Sequence, residues 1–423
     1  MRFASLHMEI LAFVTLIVWL VLVFAWGNFW RIWQSDADHQ SIPAPQAWPR
    51  VCAIVPARNE AASIAQAVSA LVQQDYPGDF SVIVVDDHSE DATAELARKA
   101  AQEAGGSATK VQILMAPDLA PGWTGKLSAL NAGVATTLFG STATPGCAAV
   151  ATPPTNLPSA STATAPPDFL WFTDADVVHA PDTLRRLVSR AQRDNLDLTS
   201  LMVLLESRTF AERLLIPAFL YFFLMLYPPN WIANPRAKTA GAAGGCVLLR
   251  RKALERIGGL AAIRHEVIDD CALARAVKHS GGKIWMGLTR ASRSLRSYSG
   301  FAEIRDMIAR TAFTQLHYSA LQLFGTLAGL TITFLLPVAL TLAPNASIWF
   351  PALLAWCLMT ASFLPTITFY RLSPLWSPFL PLAALFYTYA TLLSAIRYWR
   401  GHGAQWKGRS QAPPISPAIP PSR

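Results

Sequence analysis

From residue 51 onward, short apolar runs alternate with stretches whose apolar residues recur at helical spacing. Long unbroken apolar runs lie near both ends of the chain. VCAIVP (51–56), SVIVVDD (81–87), VQILMA (111–116) and FLWFTD (169–174) are short and end in polar or turn residues, so they predict buried strands. Residues 60–74, 93–104 and 127–135 predict helices between them. Strands alternating with helices predict an α/β domain of βαβ units with a mostly parallel sheet. Ligands of such sheets collect at the carboxyl ends of the strands.

The run at 10–30 is about 20 residues long, the length that crosses a bilayer core. It ends in Trp26, Phe29, Trp30, Arg31 and Trp33, an aromatic belt interrupted by a positive charge. A signal peptide has a shorter apolar region and a small-residue cleavage site. The segment 8–33 is therefore expected to be an uncleaved transmembrane anchor with its C-terminal side in the cytoplasm. Beyond residue 315, the runs 321–343, 348–369 and 375–398 are each long enough to span, so 320–398 reads as C-terminal membrane helices. Three crossings would leave the tail, 399–423, on the far side from the catalytic domain. Yet Arg397, Arg400, Lys407 and Arg409 belong inside by the positive-inside rule. The Pro-rich SPLWSPFLP (373–381) marks the run suspected of being re-entrant or interfacial.

Two segments interrupt the expected domain, 50–312. Residues 139–167 are rich in Ala, Thr, Ser and Pro and carry no charge, the composition of a flexible surface insertion. LLIPAFLYFFLMLYPPNWI (214–232) is apolar but holds Pro217, Pro228 and Pro229. It falls between motifs that must share one site, so it is either a helix lying in the membrane interface or a buried core helix.

Composition agrees with the membrane reading. The 423 residues are 52% hydrophobic and only 15% charged, and the mean hydropathy is +0.30. The net charge of +8 reads as Lys and Arg facing lipid headgroups rather than as nucleic-acid binding. Five scattered cysteines without a C-x-x-C pair argue against a structural zinc site or disulfide framework and suit a reducing compartment. G-x-G-x-x-G, Walker A, H-E-x-x-H and Ser-His-Asp signatures are absent, which argues against a dinucleotide dehydrogenase.

The most informative chemistry sits in FLWFTDADVV (169–178). On an extended chain, Asp174 and Asp176 point the same way and form a hard-oxygen site suited to Mg²⁺ or Mn²⁺. A plain strand-to-turn junction is the other reading, because Asp is common there. VPARNE, at the end of the first strand, can bring Arg58 and backbone N–H groups near a phosphate or base; alternatively Arg58 and Glu60 form a charge pair at a helix start. Asp86 and Asp87 end the second strand, where one of them can bind a nucleobase or ribose or cap the next turn alongside Ser89 and Asp91. GWTGK (122–126) presents Lys126 to a diphosphate as a point charge. GAAGG (241–245) is a small-residue loop that permits close approach of a ligand, or a simple turn. HEVIDD (265–270) opens a helix with acids stabilised by its dipole. One of them, Asp270, is the candidate general base, its pKa raised by its neighbour Asp269.

Taken in order, VPARNE, VVDDHSEDAT, GWTGKLSALNAG, DAD, GAAGGCVLLRR and EVIDDCALARAVKHSGGKIW resemble family 2 glycosyltransferases of the inverting GT-A type. The resemblance covers roughly residues 51–310. The anchor, the C-terminal spans and the tail RYWRGHGAQWKGR make the chain similar to the membrane glycosyltransferases associated with hopanoid biosynthesis. It implies a Rossmann-like GT-A nucleotide-diphospho-sugar transferase domain, a divalent Mg or Mn ion, a nucleotide-sugar donor and a lipid acceptor. It also implies a bacterial inner membrane, a cytoplasmic catalytic domain and hopanoid-pathway enzymes as partners. Pro56, Arg58, Glu60, Asp86, Asp87 and Asp174 would line the nucleotide sugar, with Lys126 near the diphosphate. Asp174 and Asp176 would hold the metal, and Asp270 would be the base. Gly244, Gly245, Asp269 and Arg310 are candidate acceptor or diphosphate contacts.

The family's Q-x-x-R-W segment maps onto MIART, where Met307 and Thr311 replace Gln and Trp around Arg310. That favours transfer of a single sugar over polymer synthesis. The rival readings are a polyprenyl-phosphate glycosyltransferase, an exopolysaccharide synthase and a non-catalytic membrane scaffold. The intact DAD and DD argue against the scaffold. A transporter fits poorly with spans that carry almost no charge.

Overall fold

The computed structural model describes residues 2–32, 34–35, 43–105, 111–139, 165–401, 405–406 and 409–410. The bulk of the Ala/Thr/Ser/Pro-rich insertion (140–164) and most of the basic tail lie outside the described residues. The ends of the insertion belong to the folded domain. One is the last residue of a helix, Phe139. At the other, the carbonyls of Ala165 and Pro167 accept hydrogen bonds from Arg50 and Arg251.

The first half of the chain builds four parallel strands. Strands β1 (Val51–Ala57), β2 (Phe80–Asp86), β3 (Val111–Met115) and β4 (Phe169–Thr173) alternate with helices α2 (Ile64–Val72), α3 (Thr93–Glu103) and α4 (Gly125–Phe139), all after the N-terminal helix α1 (Arg2–Phe24). The first crossover helix is shorter than its hydrophobic pattern, because residues 60–63 form a turn. The second half adds β5 (Val177–His179), α5 (Thr183–Arg193), β6 (Leu198–Leu204), α6 (Phe210–Leu226), α7 (Pro229–Ala233), β7 (Cys246–Arg250), α8 (Arg251–Arg256), α9 (Asp269–His279) and β8 (Ile284–Ser294). The eight strands lie in the order β3-β2-β1-β4-β7-β6-β8-β5. β3, β2, β1 and β4 pair in parallel, while β7 runs antiparallel to both β4 and β6. The sheet is thus a parallel half joined to a mixed half.

Alternation along β1 divides two apolar layers. Val51, Ala53 and Val55 face a layer with Ile64, Val68, Ala97 and Leu187. Cys52 and Ile54 face the other, with Leu127, Leu130 and Leu273. That second layer does not stop at the domain's edge. It continues through Leu215 and Tyr221 of α6 to Trp19, Phe334, Phe363 and Tyr387. These last four belong to the terminal apolar helices: α1, α11 (Ala320–Leu330) with its π turn (Thr331–Leu335) and α12 (Leu336–Leu340), α13 (Ala346–Phe369) and α14 (Leu380–Trp399). Helix α10 (Phe301–Gln315) links them to the sheet. Among the described residues, five helices are long and apolar enough to cross a membrane: Ser5–Phe24, Phe210–Ala233, Ala320–Leu340, Ala346–Phe369 and Pro374–Trp399. The Pro-rich segment forms a 3₁₀ turn, Pro374–Phe379, that leads directly into α14.

Polar contacts pin the apolar helices to the sheet. Arg290 of β8 donates to the carbonyls of Thr368 and Phe369, two of the unsatisfied groups at the C-terminus of α13. Trp19 donates to the Thr333 carbonyl at 2.7 Å. Leu288 of β8 donates to the Gln34 carbonyl in the segment after α1, and Gln34 accepts from the Trp285 indole at 2.6 Å. Glu212, fully buried, accepts from Arg208 N–H, Thr209 N–H and Tyr298 N–H at 2.7–2.9 Å. It forms a capping box with Thr209. It also ties α6 to the loop before α10. Replacing Glu212 with Ala leaves the buried Tyr298 N–H and the more accessible Arg208 and Thr209 N–H groups without their carboxylate. Stability should fall by about 2–4 kcal/mol, read as a lower thermal midpoint of the detergent-solubilised protein. An unchanged midpoint would show that the cap does not hold this junction.

Candidate active site

The carboxyl ends of β1 and β4 meet the N-termini of α4 and α9 at one edge of the sheet. There a cavity of about 350 Å³, counting its open mouth, is lined by Pro56, Lys126, Asp174, Gly244, Asp269 and Asp270 over an apolar floor that includes Leu127, Leu130, Phe172 and Leu273. Segments more than 140 residues apart in sequence therefore share one wall.

Lys126 is the electrostatic centre. Its ammonium lies 2.9 Å from Asp174 and 3.4 Å from Asp269, with its side chain 18% exposed. Burial works against its charge, but Asp174, Asp269 and Asp270 outweigh burial and hold its pKa above the ordinary lysine value. The first turn of α9 supplies the acids. Asp270 accepts from the Gly244 N–H at 2.8 Å and from the Cys271 N–H at 2.7 Å. Burial, reinforced by Asp269 and opposed by Lys126, pushes the Asp270 carboxyl up to about 6. A Cβ on Gly244 would sit 3.2 Å from the Lys126 ammonium and 3.3 Å from the Asp270 carboxylate, so the small residue is what lets loop, cation and carboxylate come together.

The DAD segment is not an extended strand. β4 ends at Thr173, and Ala175 and Asp176 form a turn. The shared direction expected from strand alternation is therefore not the reason the two acids cooperate. They are brought near each other by the turn, which is held by Leu295 N–H donating to the Asp176 carbonyl at 2.7 Å. Burial first, then Asp174 and Glu60, push the Asp176 carboxyl up to about 6 against the pull of Arg296. Among the described residues no three His, Cys, Asp or Glu side chains converge as a complete metal site. Two oxygen donors with excess negative charge fit a hard divalent ion that takes its remaining ligands from water and a diphosphate. Asp174 and Asp176 would hold it.

The other candidates line up less simply. Arg58, 8% exposed, turns inward and donates to the carbonyls of Asp87 and His88. It braces the loop after β2. Asn59 and Glu60 lock onto the same loop, through Ser89 at 3.0 Å and Thr93 at 2.8 Å. Asp86 accepts from the Ser89 hydroxyl. Asp87 is 1% exposed at the start of that loop. Gly245 closes the small-residue loop and contributes its carbonyl to Thr173 at 3.0 Å. Arg310 approaches from α10. Burial and Arg296 lower its pKa, partly offset by Tyr298, Asp174 and Asp269.

Sequence reasoning missed the groups that hold these in place. His179 bridges Thr173 and Ser292 at 2.8 Å each, and Thr173 passes the link to Gly245. Burial pushes His179 down to about 3, so it is neutral and acts as a strut rather than an acid or base. Lys278 donates to the carbonyls of Trp231, Ile232 and Thr239 at 2.7–2.9 Å and anchors the start of the small-residue loop. A histidine after DADVV and a lysine late in a helix carry no local signal of these roles. Their partners are distant in sequence.

A model of the glycosyltransferase-like family 2 matches residues 49–314, more than half of the chain. The chain belongs to this family and is a glycosyltransferase with the GT-A fold. The mannosyltransferase PcManGT from Pyrobaculum calidifontis, solved with GDP-Man and Mn²⁺, is similar over 92% of this chain and 99% of its own, with a TM-score of 0.53 and 18% identity. That likeness shows the shared fold. Weaker similarities are to S. aureus TarS with UDP (TM-score 0.39, 15% identity, 83% of this chain and 92% of that one) and to M. tuberculosis glucosyl-3-phosphoglycerate synthase (TM-score 0.35, 17% identity, 66% and 82%). No curated protein matches the sequence.

The raised Asp176 pKa has a sign that can be tested. The folded protein binds this proton more tightly than the unfolded chain, so the stabilisation is complete below about 3.8 and is lost as pH rises through about 6. In chelator, Asp176→Asn should therefore be more stable than the parent at pH 7, by about 1–2 kcal/mol, and equal to it near pH 4. Denaturant titrations at the two pH values check this. No difference at pH 7 would remove the case for uncompensated charge at the DAD turn.

Proposed function

We propose that the protein is a membrane-bound inverting glycosyltransferase that moves one sugar from a nucleotide-diphosphate donor to a lipid acceptor. A hopanoid or related lipid is the acceptor class implied by the resemblance, and hopanoid-pathway enzymes are the corresponding partners. The active site faces the cytoplasm of a bacterial inner membrane in this reading. The observation that carries it is Asp270, held beside Lys126 and Asp174 in one cavity of a domain whose apolar layer runs into the helices able to cross a membrane.

In this reading Pro56, Arg58, Glu60, Asp86 and Asp87 form the nucleotide side of the site, with Arg58 and Glu60 acting through the loop they brace. Lys126 is a point charge toward the diphosphate. Gly244, Gly245, Asp269 and Arg310 border the space between diphosphate and acceptor. A bound Mg²⁺ or Mn²⁺ on Asp174 and Asp176 supplies neutralisation of charge on the leaving group. Asp270 takes the acceptor's hydroxyl proton as that oxygen attacks the anomeric carbon. The bond from that carbon to the diphosphate oxygen breaks with its electron pair leaving on the diphosphate. One displacement inverts the anomeric centre. A carboxyl with a pKa near 6 is ionised at neutral pH and is a stronger base than an ordinary Asp.

Full-length protein in vesicles of bacterial polar lipids doped with a triterpenoid alcohol, supplied in turn with UDP-glucose and GDP-mannose, tests the reading. EDTA should abolish transfer and Mn²⁺ or Mg²⁺ should restore it. Full activity in chelator removes the metal role. Asp270→Asn should lower transfer by about 10²–10⁴ with donor affinity little changed. In the parent, kcat/KM should fall about tenfold per pH unit below about 6. The product's anomeric configuration should be opposite to the donor's. A retained configuration, or normal turnover by Asp270→Asn, ends the assignment of Asp270 as the base of an inverting transferase.

A further inference from the structure

The loop that holds Asp270 is fixed at nearly every residue from within the domain. Lys278 holds the Thr239 carbonyl. The Cys271 thiol donates to Ala242 O at 3.7 Å, and Ser200 bonds both the N–H and the carbonyl of Ala243. Thr173 holds the Gly245 carbonyl. Gly241 is different: its neighbour comes from α6. The ring of Tyr227, the residue that ends that helix, lies so close that a Cβ on Gly241 would meet Tyr227 Cδ1, Cγ and Cβ at 3.0, 3.1 and 3.2 Å. The Tyr227 hydroxyl in turn accepts a hydrogen bond from Gln315 Nε2 at 2.6 Å, from the last residue of α10. It also lies beside the Cys271 thiol, one residue from the base.

We infer that Tyr227 is a positioning residue for Asp270: its ring sets the Gly241–Gly245 loop, whose Gly244 N–H holds the carboxylate, and Gln315 sets the ring. The route runs through groups in contact. Helix α6 shares the apolar layer with the terminal helices. Helix α10 packs along α14, where Ser394 bonds the Phe313 N–H and the Ala309 carbonyl. The placement of the base therefore depends on how these two helices seat among the apolar helices. The consequence is specific. Disturbing Tyr227 misplaces the base relative to the acceptor hydroxyl, and a shift of about 1 Å there costs up to about 10² in rate. The donor side, built from β1, β2 and α4, keeps its geometry.

The inference rests on Asp270 being the base. The test uses the full-length protein in the same triterpenoid-alcohol vesicles, with whichever of UDP-glucose or GDP-mannose the parent turns over. Tyr227→Ala and Gly241→Ala should each lower kcat by about 10–100-fold, with donor KM within about twofold of the parent. The double variant should be no slower than Tyr227→Ala, because the ring that Cβ would strike is gone. Gln315→Ala should lower kcat less, by about 3–10-fold, since the ring stays packed. Where Tyr227→Ala does not fold, Tyr227→Leu takes its place in the cycle. Parental kcat in the Tyr227 variant, a donor KM that rises in step with the loss, or strictly additive effects would each overturn the inference while Asp270→Asn remains inactive. Normal turnover by Asp270→Asn would instead overturn the base assignment and the inference with it.

Discussion

One partly buried ammonium organises the active site. Lys126 stands among Asp174, Asp269 and Asp270, which come from the end of a strand and the start of a helix far apart in sequence. Removing one partner of a desolvated ion pair leaves the other charge uncompensated. The arrangement therefore fixes the relative positions of β4, α4 and α9 more strictly than apolar packing alone. One cation against three acids leaves excess negative charge. That excess is what the proposed divalent ion and proposed base would each draw on.

The second organising feature is the apolar layer under that cluster. Ile54 and Leu127 lie beneath the catalytic edge, and the same contiguous layer reaches Trp19, Phe334 and Tyr387 in the terminal helices. A soluble α/β domain would close this layer with amphipathic helices. Here α6 closes it with a nearly uniform apolar surface, whose other side packs on α13 and α14 through Tyr221 to Ser362 and Tyr387 to Leu215. The catalytic domain and the terminal helices thus share a core instead of meeting across a polar linker. The proposed link from Gln315 through Tyr227 to the loop below Asp270 follows from that sharing.

Much of this was legible from the chain. Strands β1, β2 and β4 appeared as short apolar runs because a strand buried on both faces has little choice of residue, whereas β3, at the sheet edge, is apolar but only partly buried. The long apolar runs gave the terminal helices for the same reason of uniform solvation. Lys126 and Asp270 stood out only as members of an ordered set of segments, because an acid in a first helical turn or a lysine near a helix start has an ordinary structural use on its own. Less legible was the mixed half of the sheet. β6 and β8 run side by side although some 80 residues separate them, and no local pattern records that pairing.

The sequence by itself determined the alternation of strand and helix, the apolar ends and the identity of the acids and lysine, because these depend on local periodicity and on side-chain chemistry. Only the tertiary structure decided what each group touches. It turned Arg58 inward onto two carbonyls, and made His179 a neutral strut by burying it between Thr173 and Ser292. It made the DAD acids neighbours through a turn rather than through strand alternation. It also packed Tyr227 against Gly241. Each of these depends on desolvation and on distances between segments remote in sequence, and both quantities exist only once the chain has folded.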